Sequence, residues 1–195
     1  MDERWDAEYS KGAHWETGKP SSRMKHFVEY FQKNDLILDA GCGAGNNSLY
    51  LASVGFDVTG IDISRVAISK ADNEARKRGL NVKFDVGDLN SLSYKDCSFD
   101  GIYCGYTLQH TVLAKSVREL WRVLRTDGIA YIVLFQTIIY KDSTQFNVDL
   151  DEGVILSTFS KYFRILKGPI VDDYSEVDEH GEHYHKRMVA VLRKK

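Results

Sequence analysis

The sequence predicts an α/β fold, a mostly parallel sheet with helices on both of its faces. Three observations carry this. Short apolar runs alternate with amphipathic, capped segments from residue 36 to residue 135, as in repeated strand–helix–strand units. The run Ile129 to Phe135 is apolar at every position, which suits a central strand buried on both faces. The stretch Ile37-Leu38-Asp39-Ala40-Gly41-Cys42-Gly43-Ala44-Gly45-Asn46 reads as a buried strand, a glycine-rich turn and the start of a helix.

The elements follow in order. Ser21 or Ser22 can cap a helix whose apolar residues Met24, Phe27, Val28 and Phe31 keep helical spacing. Leu36 to Ala40 is the first strand. Asn46 to Val54 is a helix that Gly55 ends. Phe56 to Ile61 is the second strand. Ser64 caps a helix running to about Arg78, where Gly79 stops it. Val82 to Val86 and Phe99 to Cys104 are the third and fourth strands. Leu113, Val117, Leu120, Trp121 and Leu124 mark a strongly amphipathic helix. Thr126-Asp127-Gly128 then turns the chain into the fifth strand, Ile129 to Phe135. Beyond it, residues 136 to 151 read as irregular, with Tyr140 and Phe146 among polar neighbours. A helix from about Glu152 to Ser160 follows. Tyr162 to Lys167 and Lys186 to Arg193 are two closing strands. The acidic connection between them, 172 to 185, is too short for a helical crossover, so these two strands should be antiparallel.

A chain of 195 residues fits one domain with a full core. Its expected parts are an N-terminal cap and helix over 1–34, a core over 35–135 and closing elements over 136–195. The first twenty residues are polar yet carry Trp5, Tyr9, His14 and Trp15. A disordered tail is seldom so aromatic, so this segment should fold back over another part. Lys and Arg number 26 against 28 Asp and Glu, for a net charge of -2. No broad basic field exists to hold a phosphate backbone, which disfavours general nucleic-acid binding. Cys42, Cys97 and Cys104 form no CxxC pair and read as reduced core thiols. The N-terminus is acidic, and no segment approaches the ~18 apolar residues of a membrane helix. A cytoplasmic protein, monomeric or homodimeric and independent of membranes, is expected.

The glycines point to a ligand. Without a Cβ, a turn of this kind lets the backbone approach a bound molecule closely, and the helix after it offers unpaired N–H groups. Three carboxylates fall at strand ends: Asp39 before the glycines, Asp62 after Val58-Thr59-Gly60-Ile61, and Asp88 in Val86-Gly87-Asp88-Leu89. Ligands of open α/β sheets bind beyond the carboxyl ends of the strands. There, a carboxylate after the second strand can accept both ribose hydroxyls, and one after the third an exocyclic adenine amine. Asp and Gly are common in turns, but all three in order make coincidence a poor account.

With these residues the chain resembles the class I S-adenosylmethionine-dependent methyltransferases. Asp39-Ala40-Gly41-Cys42-Gly43-Ala44-Gly45 resembles the DxGxGxG loop of that family, Asp62 its ribose-binding acid, and Gly87-Asp88-Leu89 its adenine-contacting acid with the apolar residue beside it. Phe99-Asp100-Gly101-Ile102-Tyr103-Cys104 and the stretch Leu120 to Gly128 resemble its fourth strand and the helix-turn before its fifth. The likeness covers about residues 35 to 135. It implies a Rossmann-like three-layer αβα sandwich whose seven-stranded sheet is mostly parallel, with the last strand antiparallel. Trp5-Asp6-Ala7-Glu8-Tyr9 and His14-Trp15-Glu16-Thr17-Gly18-Lys19-Pro20 are similar to the entry segment of small-molecule methyltransferases that include thiopurine and tellurite methyltransferases.

The resemblance implies S-adenosylmethionine as cofactor, S-adenosylhomocysteine as product and a small-molecule methyl acceptor. It implies that Gly41, Cys42, Gly43 and Gly45 contact the methionine part with Asp39 near its amino group. Asp62 and Ile63 would hold the ribose side, Asp88 and Leu89 the adenine, Cys104 and Gly105 the sulfonium end, and Trp15 would help cover the cofactor. Aromatic faces suit a passing cation, which makes Tyr9, Trp15, Tyr106 and Tyr140 candidates for the acceptor pocket. His110, in Thr107-Leu108-Gln109-His110, is a candidate general base, with a purely packing role as the alternative. His180, His183 and His185 admit three readings: a metal site, a solvated hairpin, or substrate contact. Metal binding is the least favoured, and no metal is expected. The competing functions are a nicotinamide-dependent oxidoreductase, whose GxGxxG and Tyr-x-x-x-Lys signatures are missing, a non-catalytic cofactor-binding regulator, and a methyltransferase acting on protein or RNA.

Overall fold

The computed structural model describes residues 3–13, 15–140, 148–178 and 181–195. The elements run α1 (Glu3–Lys11), α2 (Met24–Val28), β1 (Leu36–Ala40), α3 (Asn46–Ser53), β2 (Asp57–Asp62), α4 (Arg65–Arg78), β3 (Lys83–Val86), β4 (Phe99–Gly105), a short 3-10 turn (Leu108–His110), α5 (Leu113–Val123), β5 (Leu124–Tyr140), β6 (Val148–Asp149), α6 (Glu152–Tyr162), β7 (Phe163–Asp178) and β8 (Gly181–Lys194). The sheet order is β3-β2-β1-β4-β5-β8-β7, with the two-residue β6 paired to β5. The first five strands are mutually parallel, and β8 is antiparallel to both of its neighbours. The sheet is that of a Rossmann-like αβα sandwich, with β6 as an eighth strand beyond the seven expected.

Strand alternation builds the layers. Leu38, Ile102, Cys104, Ala130, Ile132, Leu134, Ala190 and Leu192 face α5 and α6, where they meet Val117, Leu120, Ile155 and Phe159. The intervening residues Ile37, Tyr103, Ile129, Tyr131, Val133, Val189 and Val191 face the other way, onto Met24 and Phe27 of α2 and Leu51 of α3. Local chemistry sets the helix ends. The Ser64 hydroxyl accepts from Ala67 N–H (3.1 Å) to cap α4, which ends on Gly79 at φ 65°. Asp151 caps α6 by accepting from Val154 N–H (2.8 Å).

The structure departs from the sequence reading in five places. Helix α2 is only five residues long and has no side-chain cap, so Phe31 lies beyond it. Cys97 is exposed, at a φ of 55°, while Cys42 and Cys104 are buried. Strand β5 runs on to Tyr140 through residues expected to be irregular. Its register against β8 slips between Phe135 and Thr137, which marks a β-bulge. Finally, most of the acidic connection is paired strand: Asp172 to Asp178 lie opposite Arg187 to Gly181, and Pro169 sits within β7 at a register break. His14, Phe146 and His180 lie outside the described residues.

The N-terminal segment does fold back. Tyr9 and Ala13 pack on Val66 and Ala67 of α4. Asp6 accepts from the Ser64 hydroxyl (2.6 Å) and from Val66 N–H (3.1 Å), and these bonds hold its carboxyl below the usual range. Lys70 of α4 donates to the Tyr9 carbonyl (2.6 Å) and to Glu16 (3.0 Å). Among the described residues no helix is long and apolar enough to cross a membrane. Replacing Asp6 with Ala is expected to loosen α1 from α4. Limited trypsin digestion, followed by mass spectrometry, should then cut at Arg4 and Lys11 several times faster than in the wild type and leave the remainder intact.

Candidate active site

The carboxyl ends of β1 to β4 converge on one cavity of about 710 Å3, within the roughly 300–1,000 Å3 usual for ligand sites. Its floor is the glycine turn after β1. Gly41, Gly43 and Gly45 all have positive φ, at 75°, 54° and 83°. The N–H groups of Gly41 and Cys42 both donate to the Ile61 carbonyl (2.8 and 3.0 Å), which ties the turn to β2. Space requires all three as well. A Cβ on Gly41 would fall 2.0 Å from the Thr107 Oγ1, one on Gly43 2.5 Å from the Tyr9 hydroxyl and one on Gly45 2.8 Å from the Ala71 Cβ. The loop is thus held between the end of β4 and the N-terminal segment.

Asp62 ends β2 and joins this floor. One of its oxygens accepts from Gly43 N–H (2.9 Å) and the other from Ser64 N–H (2.9 Å). Burial raises its pKa against these bonds. Asp88 stands exposed on the far side, with one carboxylate oxygen accepting from Asn90 N–H and from its side-chain amide (2.8 and 2.9 Å). Asn90 Oδ1 in turn accepts from Val112 N–H and the Ser116 hydroxyl (3.0 Å each), fixing the loop after β3 to α5. Ile63 and Leu89 line the wall between the two acids.

The structure brings Gly41, Cys42, Gly43, Asp62, Ile63, Asp88, Leu89, Gly105, Trp15, Tyr9, Tyr106 and His110 onto this cavity. Asp39, Gly45 and Cys104 are not among its lining residues; they stand behind the wall. Asp39 is 1% exposed and accepts from the Ser48 hydroxyl (2.6 Å). Burial pushes its pKa up to about 7, with the Ser48 bond opposing. The backbone of Tyr140 ends β5, and its side chain lies outside the described residues.

An aromatic cluster lines the mouth. Trp15 packs edge-on against Trp5 and Tyr9, with ring centroids 6.0 Å apart in both pairs, and Trp5 meets the ring of His110 at 5.0 Å. His110 is exposed, and its Nε2 lies 3.3 Å from Gln109 Nε2. Gln109 Nε2 also donates to the Tyr106 carbonyl (2.8 Å). With that amide orientation His110 Nε2 must accept, so its lone pair is engaged. The buried Oε1 of Gln109 has no hydrogen-bond partner among the described residues.

The opposite end of the cavity was legible only in part: the sequence offered Tyr106 for the acceptor pocket and substrate contact as one reading of His185, and gave no sign of Phe135 or Ile138. Phe135 and Ile138 of β5 and His185 of β8 form it together with Tyr106. The β5 bulge makes this possible. Without the slip, Phe135 and Ile138 would point to opposite faces of the sheet. Arg187 donates to the Tyr106 hydroxyl (3.1 Å) and pairs with Asp172 through two bonds. Asp172 is held below the usual carboxylate range by that guanidinium. Among the described residues no group of three or more His, Cys, Asp or Glu is placed to hold a metal ion.

The chain's likeness to known proteins agrees with this geometry. Residues 37–128 match a methyltransferase domain family. A 2-heptyl-1-hydroxyquinolin-4(1H)-one methyltransferase from Mycobacteroides abscessus is 32% identical over 162 residues, which span 77% of this chain and 68% of that protein. The chain belongs to the class I S-adenosylmethionine-dependent methyltransferases. The solved structure of a SAM-dependent methyltransferase from Methanosarcina mazei is 26% identical to this methyltransferase, with a TM-score of 0.71 over 90% of this chain and 98% of that one. TehB from Haemophilus influenzae shares the fold at 22% identity, with a TM-score of 0.73 over 98% of this chain and 67% of the other.

The buried Asp39 gives the methyltransferase a measurable pH signature. Its carboxyl ionises near 7 in the folded chain and near 3.8 once exposed. Between those values the folded state binds the extra proton, so the stability contributed at this position falls as pH rises from about 4 to about 7. Asp39→Asn should remove this fall. In urea unfolding of cofactor-free protein, the stability of the wild type relative to Asp39→Asn is expected to drop by on the order of 4 kcal/mol across that window.

Proposed function

We propose that this methyltransferase transfers a methyl group from S-adenosylmethionine to a small, largely apolar molecule by in-line displacement. The observation that carries this reading is the continuity of one cavity from Asp62 and Asp88 to Tyr106, Phe135, Ile138 and His185. Residues 35–135 hold the cofactor in this reading, while 1–34 and 136–195 close over the acceptor.

The chain's residues fit the cofactor. The carboxylate of Asp62 is held by two backbone N–H groups and oriented to accept from ribose hydroxyls. Asp88 would accept from the adenine amine, and Ile63 and Leu89 would offer apolar contact to the ring. The bare backbone at Gly41, Cys42 and Gly43 admits the amino-acid part, and the orphaned Gln109 Oε1 offers an acceptor at the cavity wall. Asp39, Gly45 and Cys104 act from behind, by fixing the turn and the end of β4. Gly105, Trp15 and Tyr9, which line the same cavity, would hold the sulfonium end. Bound S-adenosylmethionine supplies a methyl carbon on a positively charged sulfur, activated without help from the protein. The chain contributes alignment and exclusion of water, and alignment alone is worth up to roughly 7–11 kcal/mol in ideal geometry. The apolar far end argues against a protein or RNA acceptor. The Mycobacteroides abscessus relative, named for a heptyl-substituted hydroxyquinolone, supports an acceptor of apolar character.

Asp62→Ala is expected to abolish measurable S-adenosylmethionine binding by calorimetry while the circular dichroism spectrum stays that of the wild type. Undiminished affinity in that variant would refute the ribose role.

A further inference from the structure

The geometry points to His185 as the group that takes the acceptor's proton, and so to an acceptor that presents a dissociable O–H, S–H or ring N–H on an apolar ring. This rests on the methyl-transfer reading above and adds a residue and a substrate class to it.

Among the described residues, the far end of the cavity is an apolar wall with one imidazole in it. His185 is 4% exposed yet lines the cavity, and its ring lies tilted on Phe135 with centroids 4.6 Å apart. Phe135 in turn packs on Tyr106 at 4.7 Å. A planar ring entering this end finds aromatic faces and Ile138, and an imidazole to meet its polar atom. Among the described residues, the titratable and charged groups nearest this corner are Tyr106 from the loop after β4, Arg187 two residues along β8, Asp172 on β7 and Arg23 before α2. Asp172 pairs with both arginines.

The charge balance favours the same residue. In the step, a bond forms between the acceptor heteroatom and the methyl carbon. The carbon–sulfur bond breaks, its electron pair goes to sulfur, and the acceptor's proton goes to a nitrogen of His185 and then to water. One positive charge is present before the step, on sulfur, and one after it, on the imidazole. The cavity therefore never holds more charge than it began with, which keeps the cost of an imidazolium in apolar surroundings low. His110 is less suited. It is exposed at the mouth, against Trp5.

The probe is 4-nitrophenol, whose phenolate is yellow and whose phenol is nearly colourless. It is added to protein saturated with S-adenosylhomocysteine, at a pH where the free probe is mostly protonated. The expected result is a phenolate band on binding to the wild type that is lost in His185→Gln. With S-adenosylmethionine, kcat for transfer to 4-nitrophenol should fall by about 100-fold or more in His185→Gln, with KM for S-adenosylmethionine unchanged. Added imidazole should restore transfer to His185→Gly, which also shows that the substituted chain folds. The inference is overturned if the wild type gives no phenolate band, if the band survives in His185→Gln, or if the loss of transfer falls on His110→Gln instead. Calorimetry with S-adenosylhomocysteine separates the two levels. A wild type that binds it but fails these tests sinks only the role of His185, whereas a wild type that does not bind it sinks the methyl-transfer reading as well.

Discussion

No side chain fits at position 41. The Thr107 hydroxyl occupies the place where a Cβ would stand, and the rest of the site is arranged around that bare stretch of backbone. Because the turn is thin, the end of β4 can lie directly on it. Because its N–H groups reach the Ile61 carbonyl, it is pinned to β2, and because Gly43 donates to Asp62, the acid at the end of β2 is oriented by the same turn. A larger residue there would separate the first, second and fourth strands at the rim where they have to meet.

This part of the molecule was legible in the sequence because its chemistry is local. A positive φ calls for glycine, a helix start for Ser64, and a strand end before a turn for Asp39, Asp62 or Asp88, each signalled by its immediate sequence neighbours. The apolar run Ile129 to Phe135 likewise announced a strand covered on both faces. What the sequence hid depends on distant partners. Asp6 meets Ser64 and Val66 across some sixty residues, and nothing near Asp6 signals it. The hairpin of β7 and β8 was read as a connection because its outer half, from Asp172 to Arg187, alternates no apolar face. The bulge near Gln136 has no motif at all.

Two kinds of segment therefore build the cavity. The parallel strands give a floor whose geometry is fixed by backbone bonds and by a lack of room. The walls come from the N-terminal segment, tied to α4 by Asp6 and Lys70, and from the projecting ends of β5, β7 and β8, tied to Tyr106 through Arg187. The floor tolerates little change, since small shifts there break buried hydrogen bonds. The walls are held by side chains, and a wall residue can be exchanged without disturbing the sheet beneath it.

The slip in β5 has a consequence for how such a pocket changes over time. Side chains along a strand alternate between its two faces, so a single inserted or deleted residue reverses the parity of everything beyond it. Here that switch decides whether Ile138 or Thr137 accompanies Phe135 on the cavity wall. One codon gained or lost in this strand would exchange a greasy lining for a hydroxyl-bearing one in a single event, while the rim that grips the other ligand stayed as it was.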